Sequence, residues 1–334
     1  MKAKVDPGVV IDLIDAFRRS KAMFVGCEIG VFETLAKADA TAAEVSEKIG
    51  ANVGSLARLM DGLVGLGLLE KQDDVYRNTA AANTYLLRDS PDTLTGYVLY
   101  SNDVLYKMWG NLGDAVKEGS NRWKQTFDLE GPLFSQFFRT DESMRMFIAG
   151  MHGFGMISSA SVVSAFDLSR FKKLVDLGGA TGHLPMAAAE RYPDMQAVVF
   201  DLPQVIKVAR EHCAGTRVEC VEGDFFADEL PPADLYALGR ILHDWNEEKI
   251  ARLLKKIVAA LPSGGGLLIA EKLLTEDKTK PVSGTMQSLN MLICTEGRER
   301  SLSEYEALCL EAGFKVVEGR RTGAPVDATL AIKA

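Results

Sequence analysis

Of the four histidines in this 334-residue chain, His243 has the setting in which an imidazole does acid–base work. It follows DLYALGRIL, which reads as a buried strand, and it precedes Asp244 and Trp245. His152 falls in a helical stretch, His183 opens a helix and His212 lies near a helix end. Only His243 is therefore expected at a strand terminus on the ligand side of a sheet. An imidazole of pKa about 6.5 accepts a proton near neutrality. A phenol, with pKa about 10, gives its proton up unfavourably in water, so proton loss would accompany its attack on an electrophile. Two acids could hold such a base: Glu271, ending LLIAE, and Glu299 in GRERS. A carboxylate beside an imidazole fixes its tautomer and stabilises its charged form. For Glu299, flanked by Arg298 and Arg300, a surface salt-bridge cluster is an equal alternative. Neither HDW nor the scattered acids have metal-ligand spacing, so no metal is expected.

A second set of residues marks three successive strand ends. VDLGGATG places Gly178, Gly179 and Gly182 between a strand and a helix, where glycine lets the backbone turn tightly and approach a ligand. VVFDLP ends in Asp201, about 20 residues on, placed to accept hydrogen bonds from both hydroxyls of a ribose. EGDFF offers Gly223, Asp224 for an adenine amino group and Phe225 as an apolar face. Each acid alone is more often a solvated strand terminus or helix cap; three in succession reverse that preference. The spacing G-G-x-x-G differs from the dinucleotide pattern G-x-G-x-x-G. Asp176 just before the loop would repel a pyrophosphate but suit a sulfonium and an α-amino group. S-adenosylmethionine is the expected cofactor.

These residues need a scaffold. From about Phe171 short apolar runs alternate with helical patterns, which implies crossover units and a mostly parallel sheet covered on both faces. FKVVEGRRTG and ATLAIKA, joined by a short connection, permit an antiparallel hairpin at the sheet edge. This half, residues 166–334, reads as an α/β Rossmann-like domain. Residues 1–95 read as mainly helical and winged-helix-like: apolar residues recur every three or four positions, Thr41 and Glu44 form a capping-box pattern, and a hairpin turns at Asp73-Asp74. Residues 96–165 read as a helical connecting region that contributes to the pocket.

Composition narrows the class. With 47% hydrophobic residues the chain can bury a full core, and its formal net charge of −8 argues against nucleic acid or anionic lipid as partner. There is no run of about 18 apolar residues, so no membrane span is expected. MKAKVDPGVVIDLIDAF is broken by Asp6, Pro7 and Asp12 and does not read as a signal peptide. Five scattered cysteines without a C-x-x-C pair argue against a disulfide framework and fit a reducing cytoplasm.

VDLGGATG, VFDLP, EGDFF, RILHDW, LIAEKLL, SLNMLICTEGRERS and EAGF, in this order and spacing, resemble the small-molecule O-methyltransferases. That family includes caffeate and flavonoid enzymes of plants and tailoring enzymes of bacterial antibiotics. The likeness is greatest to the hydroxyindole (acetylserotonin) O-methyltransferase group and extends to CEIGVF, GLLEK, YRNT and AFDLS. It implies an N-terminal winged-helix-like dimerisation domain, a homodimer, and methyl transfer to a hydroxyl of a small aromatic acceptor. His243 matches the general base, and Glu271 and Glu299 the acids beside it. Asp201, Gly223-Asp224-Phe225 and Arg240 match cofactor contacts, with Gly178, Gly179, Leu202 and Phe138 in the same role. Asp244 and Asn290 match positions facing the acceptor. The chain departs from the group at Ala180, which replaces a glycine, a small change that is tolerated if φ stays negative. It departs again at Cys294, which replaces an acceptor-facing glutamine, and at Phe138 and Gly155, which replace two other aromatic cofactor contacts.

Two other functions share parts of this pattern. A cofactor-sensing DNA-binding regulator would use the winged helix, yet the candidate recognition helix NVGSLARLMDGLVGL carries one base, Arg58, where clustered bases are needed. An enzyme of the same fold with non-methylating chemistry would not need His243 with both glutamates.

Overall fold

A computed structural model describes residues 5–334; the first four residues of the N-terminal stretch lie outside the described residues. The chain divides into two compact units between Tyr106 and Lys107.

The first unit begins with α1 (Gly8–Glu28) and α2 (Val31–Leu35). Next come β1 (Ala40–Thr41), α3 (Ala42–Ile49) and α4 (Val53–Gly65). Thr41 and Glu44 form the expected capping box, satisfying amide groups that the first helical turn leaves open. The hairpin of β2 (Leu69–Gln72) and β3 (Val75–Asn78) turns on Asp73 and Asp74, both at positive φ, as a tight antiparallel turn requires. β1 pairs with the other side of β3. Val31, Phe32, Val45, Met60, Leu63 and Tyr76 fill the core between helices and hairpin. Two helices close the unit, α5 (Ala80–Tyr85) and α6 (Thr95–Tyr100). One face of α1 is not covered: Val9, Val10, Leu13, Ile14 and Phe17 are all more than half exposed.

Four short helices lead into the second unit: α7 (Tyr106–Trp109), α8 (Leu112–Glu118), α9 (Trp123–Phe127) and α10 (Leu133–Phe137). The long α11 (Asp141–Ser164) follows. By length and composition alone α11 is apolar enough to cross a membrane, with a window of mean hydropathy 1.4. Phenylalanine, isoleucine, valine, methionine and alanine raise its average, while the glycines and serines between them interrupt any continuous apolar run. Met144 and Ile148 pack with Val205 and Val208, and Val162 and Val163 join the main core, so α11 serves as a core helix.

Seven strands form the central sheet: β4 (Lys173–Leu177), β5 (Gln196–Asp201), β6 (Val218–Glu222), β7 (Leu235–Gly239), β8 (Gly266–Glu271), β11 (Phe314–Arg320) and β12 (Asp327–Lys333). Their order is β11-β12-β8-β7-β4-β5-β6. β4 to β8 run parallel, while β12 is antiparallel to both β8 and β11. The crossovers are α12 (His183–Arg191), α13 (Pro203–His212) and α14 (Glu247–Ala260). After β8 come β9 (Leu273–Leu274), α15 (Val282–Cys294), β10 (Arg300–Ser301), which pairs with β9, and α16 (Leu302–Ala312). Strand order reverses between β4 and β7, so a crevice opens where the loops after these two strands diverge. The glycine loop and His243 leave from those two strands.

Candidate active site

β7 ends at Gly239, sooner than the apolar run suggests, and His243 sits on a short helical turn, Leu242–Asp244, rather than on the strand. The Glu271 carboxylate forms this turn. One of its oxygens, Oε1, accepts from the amides of Ile241 and Leu242, each at 2.9 Å, and of His243 at 3.4 Å. The other, Oε2, lies 3.2 Å from His243 Nδ1, and Glu299 Oε1 lies 2.7 Å from the same nitrogen. Both acids therefore meet the base at one ring nitrogen. Glu299 is buried and does not join the flanking arginines, which pair with Glu247 and Glu304 instead. A carboxylate only accepts, so in the neutral ring Nδ1 carries the proton and Nε2 presents the lone pair. Asp244 Oδ1 is 3.7 Å from Nε2.

Burial by itself pushes the His243 imidazole down, but Glu271, Glu299 and Asp244 outweigh it and raise its pKa from 6.5 to about 10. The sequence suggested an ordinary imidazole; the structure gives one whose affinity for a proton matches that of a phenol. Burial raises Glu271 to about 7 and Asp244 to about 6, so the cluster shares its protons as a unit. Donor atoms of His243, Glu271 and Glu299 lie within 4.8 Å of one another, a grouping that could hold a cation and that the sequence spacing did not suggest.

The turn is clamped from behind by the segment after α15. Arg300, fully buried, donates to the carbonyls of Leu242 at 3.2 Å and Trp245 at 3.3 Å. The Glu296 amide donates to the Asp244 carbonyl. A Cβ on Gly297 would lie 2.2 Å from the His243 carbonyl oxygen, so only glycine lets the segment close against the turn. Neither Arg300 nor Gly297 stood out in the sequence, because EGRERS looks like a solvated charged loop.

The glycine loop has the features of a cradle for the amino-acid end of the cofactor. Gly178 lies at φ 74°, and a Cβ there would meet Ile241 Cδ1 at 2.6 Å; one on Gly179 would meet Asp176 Oδ2 at 2.7 Å. Ala180 lies at φ 49°, so the negative φ on which easy replacement of the glycine depends is not kept. Its amide donates to Asp201 Oδ2 at 2.9 Å, which holds the loop in this left-handed bend. Asp201 Oδ1 accepts from the Leu202 amide, so this acid, which braces the loop, has both of its oxygens on backbone amides. Asp176 is buried, and its Oδ1 has no hydrogen-bond partner. Burial raises Asp176 to about 7, with Asp201 adding to the effect, and raises Asp201 to about 6. An unpaired buried acid is costly in apolar surroundings, and a sulfonium or ammonium is the partner it lacks. The residues fit S-adenosylmethionine.

Other expected residues divide by location. Phe138 and Leu202 come together on the Met144–Val208 cluster, and the Arg240 guanidinium lies 5.0 Å from the Phe154 ring centre. Arg240 itself adopts φ 55° on leaving β7. Gly223 packs edge-on to Phe200, where a Cβ would lie 2.4 Å away. Asp224 accepts from the Phe226 amide and so shapes its own turn, while Phe225 stacks near Phe226. Asn290 and Cys294, expected to face an acceptor, are buried one turn apart on α15, and Trp109 Nε1 donates to Asn290 Oδ1 at 3.0 Å. Asp244 lies close enough to Cys294 to add to the burial that raises its thiol well above the ordinary range. His243 is not alone on the ligand side. His152 bonds Thr181 of the glycine loop at 2.8 Å, and His183 follows that loop directly.

The family profile described as an O-methyltransferase domain matches residues 109–315, and the O-methyltransferase dimerisation domain matches residues 11–88. Acetylserotonin O-methyltransferase of Bos taurus is 41% identical over 329 residues, covering 96% of this chain and 95% of its own. The crystal structure of human N-acetylserotonin methyltransferase in complex with S-adenosylmethionine superposes with a TM-score of 0.95 at 37% identity, over 100% of both chains. PigF with S-adenosylhomocysteine superposes at 0.89 with 29% identity, over 98% of this chain and 100% of its own. With its cradle, crevice and paired domains, the chain belongs to the S-adenosylmethionine-dependent O-methyltransferase family.

Proposed function

We propose that the chain methylates a hydroxyl group of a small aromatic acceptor, with His243 Nε2 as the general base. The observation that carries this reading is the pair of acids on Nδ1, which leaves the opposite nitrogen as a lone pair of high proton affinity. S-adenosylmethionine, when bound, supplies a methyl group on a positively charged sulfur. His243 takes the acceptor's proton as its oxygen attacks, and Glu271 and Glu299 stabilise the imidazolium that results. Asp176 and the glycine loop hold the cationic end, Asp201 the ribose, and Asp224 with Phe225 the adenine. Phe138, Leu202 and Arg240 complete that wall, while Asp244, Asn290 and Cys294 face the acceptor.

The acetylserotonin enzymes among the relatives make a hydroxyindole the first acceptor to test. Cys294 gives the pocket a thiol with little hydrogen-bonding capacity, which favours an apolar edge on the acceptor at that point. The exposed apolar face of α1, on a dimerisation domain, supports assembly into a homodimer. The test is His243→Ala, assayed with labelled cofactor on a panel of phenols and hydroxyindoles. Methyl transfer is expected to fall at least about a hundredfold while S-adenosylhomocysteine affinity persists. Undiminished turnover would remove His243 from the role of base.

A further inference from the structure

His183 and its neighbours take no part in the chemistry above, yet their arrangement is specific. The ring lies flat against α11 at Gly155, where a Cβ would fall 2.1 to 2.3 Å from its Cδ2, Cγ and Nε2 atoms. Any other residue at 155 would expel it. Ser159, one turn further along α11, meets His183 Nδ1 at 2.9 Å. The same hydroxyl lies 2.7 Å from the Gly155 carbonyl oxygen, which can only accept. A serine has one proton to give. Having given it to Gly155, Ser159 can only accept from the imidazole, so Nδ1 carries the ring proton and Nε2 presents a lone pair.

The position of the ring indicates what that lone pair meets. His183 opens α12 immediately after the glycine loop and is half-buried. Asp176, with its unpaired buried oxygen, lies under the loop. Arg240 lies over Phe154, the residue before Gly155 on α11, and its charge acts on the His183 ring. An acid and a guanidinium flanking one loop match the two ends of an amino-acid zwitterion. The imidazole is kept neutral by burial, with His152 and Arg240 acting the same way, which lowers its pKa to about 3. A neutral acceptor in that position is suited to an ammonium donor and not to a carboxylate.

We propose that His183 is a specificity-determining contact for the amino-acid end of the cofactor, its Nε2 accepting a hydrogen bond from the α-ammonium group. Gly155 makes room for the ring, and Ser159 selects the tautomer that can accept. This rests on the cofactor reading given above and deepens it.

The experiment compares two ligands by calorimetry at neutral pH. One is S-adenosylhomocysteine; the other is the same thioether with hydrogen in place of the α-amino group. His183→Ala is expected to weaken the first by ~10- to 100-fold, as loss of a hydrogen bond to a charged group does. Binding of the second should stay within about twofold. Ser159→Ala, which frees the tautomer, should show a smaller loss with the same selectivity. In the unmodified protein, the ¹⁵N resonance of His183 Nε2 should shift with the first ligand and stay in place with the second, a readout independent of any variant's folding. Equal losses for both ligands, no loss for S-adenosylhomocysteine, or an identical ¹⁵N response to both overturns the proposal. Failure of the unmodified protein to bind S-adenosylhomocysteine would overturn the cofactor reading itself, a separate outcome.

Discussion

In the proposed role His243 needs to be neutral, and the acids that raise its proton affinity also keep it protonated. With its pKa raised to about 10, the neutral fraction grows as pH rises through the neutral range, so kcat/KM should climb with pH over that interval. Glu299→Gln removes one of the charges that raise it. The rising limb should then move to lower pH by about one unit while the limiting rate drops, because the imidazolium is less well stabilised. A limb that stays in place in a pH series would separate Glu299 from the base. Asp176 gives a second test with the opposite sense. Its folded pKa, raised to about 7 from 3.8, means that the cofactor-free protein loses stability as pH climbs from 3.8 through 7, where the folded state holds a proton that the unfolded chain has released. A cation beside it favours the ionised form, so S-adenosylmethionine should bind more tightly as pH rises through 7. Asp176→Asn should raise the melting temperature at pH 8 and weaken cofactor binding together. A variant that bound as tightly as its parent would detach Asp176 from the cofactor. The strand-end acids were legible in the sequence because each closes an apolar run, whereas the tautomer and the proton count depend on side chains brought together from β7, β8 and the segment before β10.

At the scale of elements, two short segments place the chemistry. The turn Leu242–Asp244 is held on one side by a single oxygen of Glu271 and on the other by the Gly297–Arg300 segment. Gly297→Ala would drive a methyl group into the His243 carbonyl and shift the turn. Overpacking of this kind costs about 1–3 kcal/mol, and displacement of a base by about 1 Å costs on the order of a hundredfold in rate. Denaturant titration and kcat measured side by side should show both losses, with S-adenosylhomocysteine affinity retained; an unchanged kcat would mean that the segment does not set the turn. The loop after β4 provides the converse case. Ala180 sits in the left-handed region that disfavours a Cβ. Ala180→Gly should stabilise the protein by about 0.5–1 kcal/mol in urea unfolding, the relief of strain exceeding the entropy that glycine adds to the unfolded chain. No gain in the urea midpoint would show that the Asp201 brace already offsets the strain. Strand alternation, the capping box and the Asp73-Asp74 turn were readable because they depend on residues near in sequence. The early end of β7 was not: GRIL is apolar enough to continue a strand, and Glu271 pulls it into a turn by taking up three amides from 28 to 30 residues away. The apolarity of α11 was likewise hidden by its glycines and serines, which look polar or weak singly yet pack closely against α12.

At the scale of the whole molecule, the exposed side of α1 makes assembly the first question. Val9, Val10, Leu13, Ile14 and Phe17 form an apolar surface of the kind that a second copy of the chain would cover. Leu13→Lys with Phe17→Lys should shift sedimentation from dimer to monomer without changing the far-ultraviolet spectrum; an unaltered dimer would place the interface elsewhere. The change of texture near Phe171 marks where the sheet begins, whereas the two units divide between Tyr106 and Lys107; alternation of strands and helices implied a mostly parallel sheet but not its strand order. What composition could not convey is that β12 enters the sheet between β8 and β11, with Asp327 directly opposite Glu271. Asp327 accepts from the Leu273 amide and pairs with Lys272 and Arg321, so the strand behind Glu271 has its own network of charges. That insertion has a consequence for the order of folding. The parallel strands β4 to β8 can associate through local crossovers, but β8 has its outer edge covered only when the β11–β12 hairpin docks. Pulsed hydrogen exchange should therefore find the amides of β4 and β5 protected first and those joining β8 to β12 last, making the wall behind Glu271 and His243 the final part of the enzyme to close.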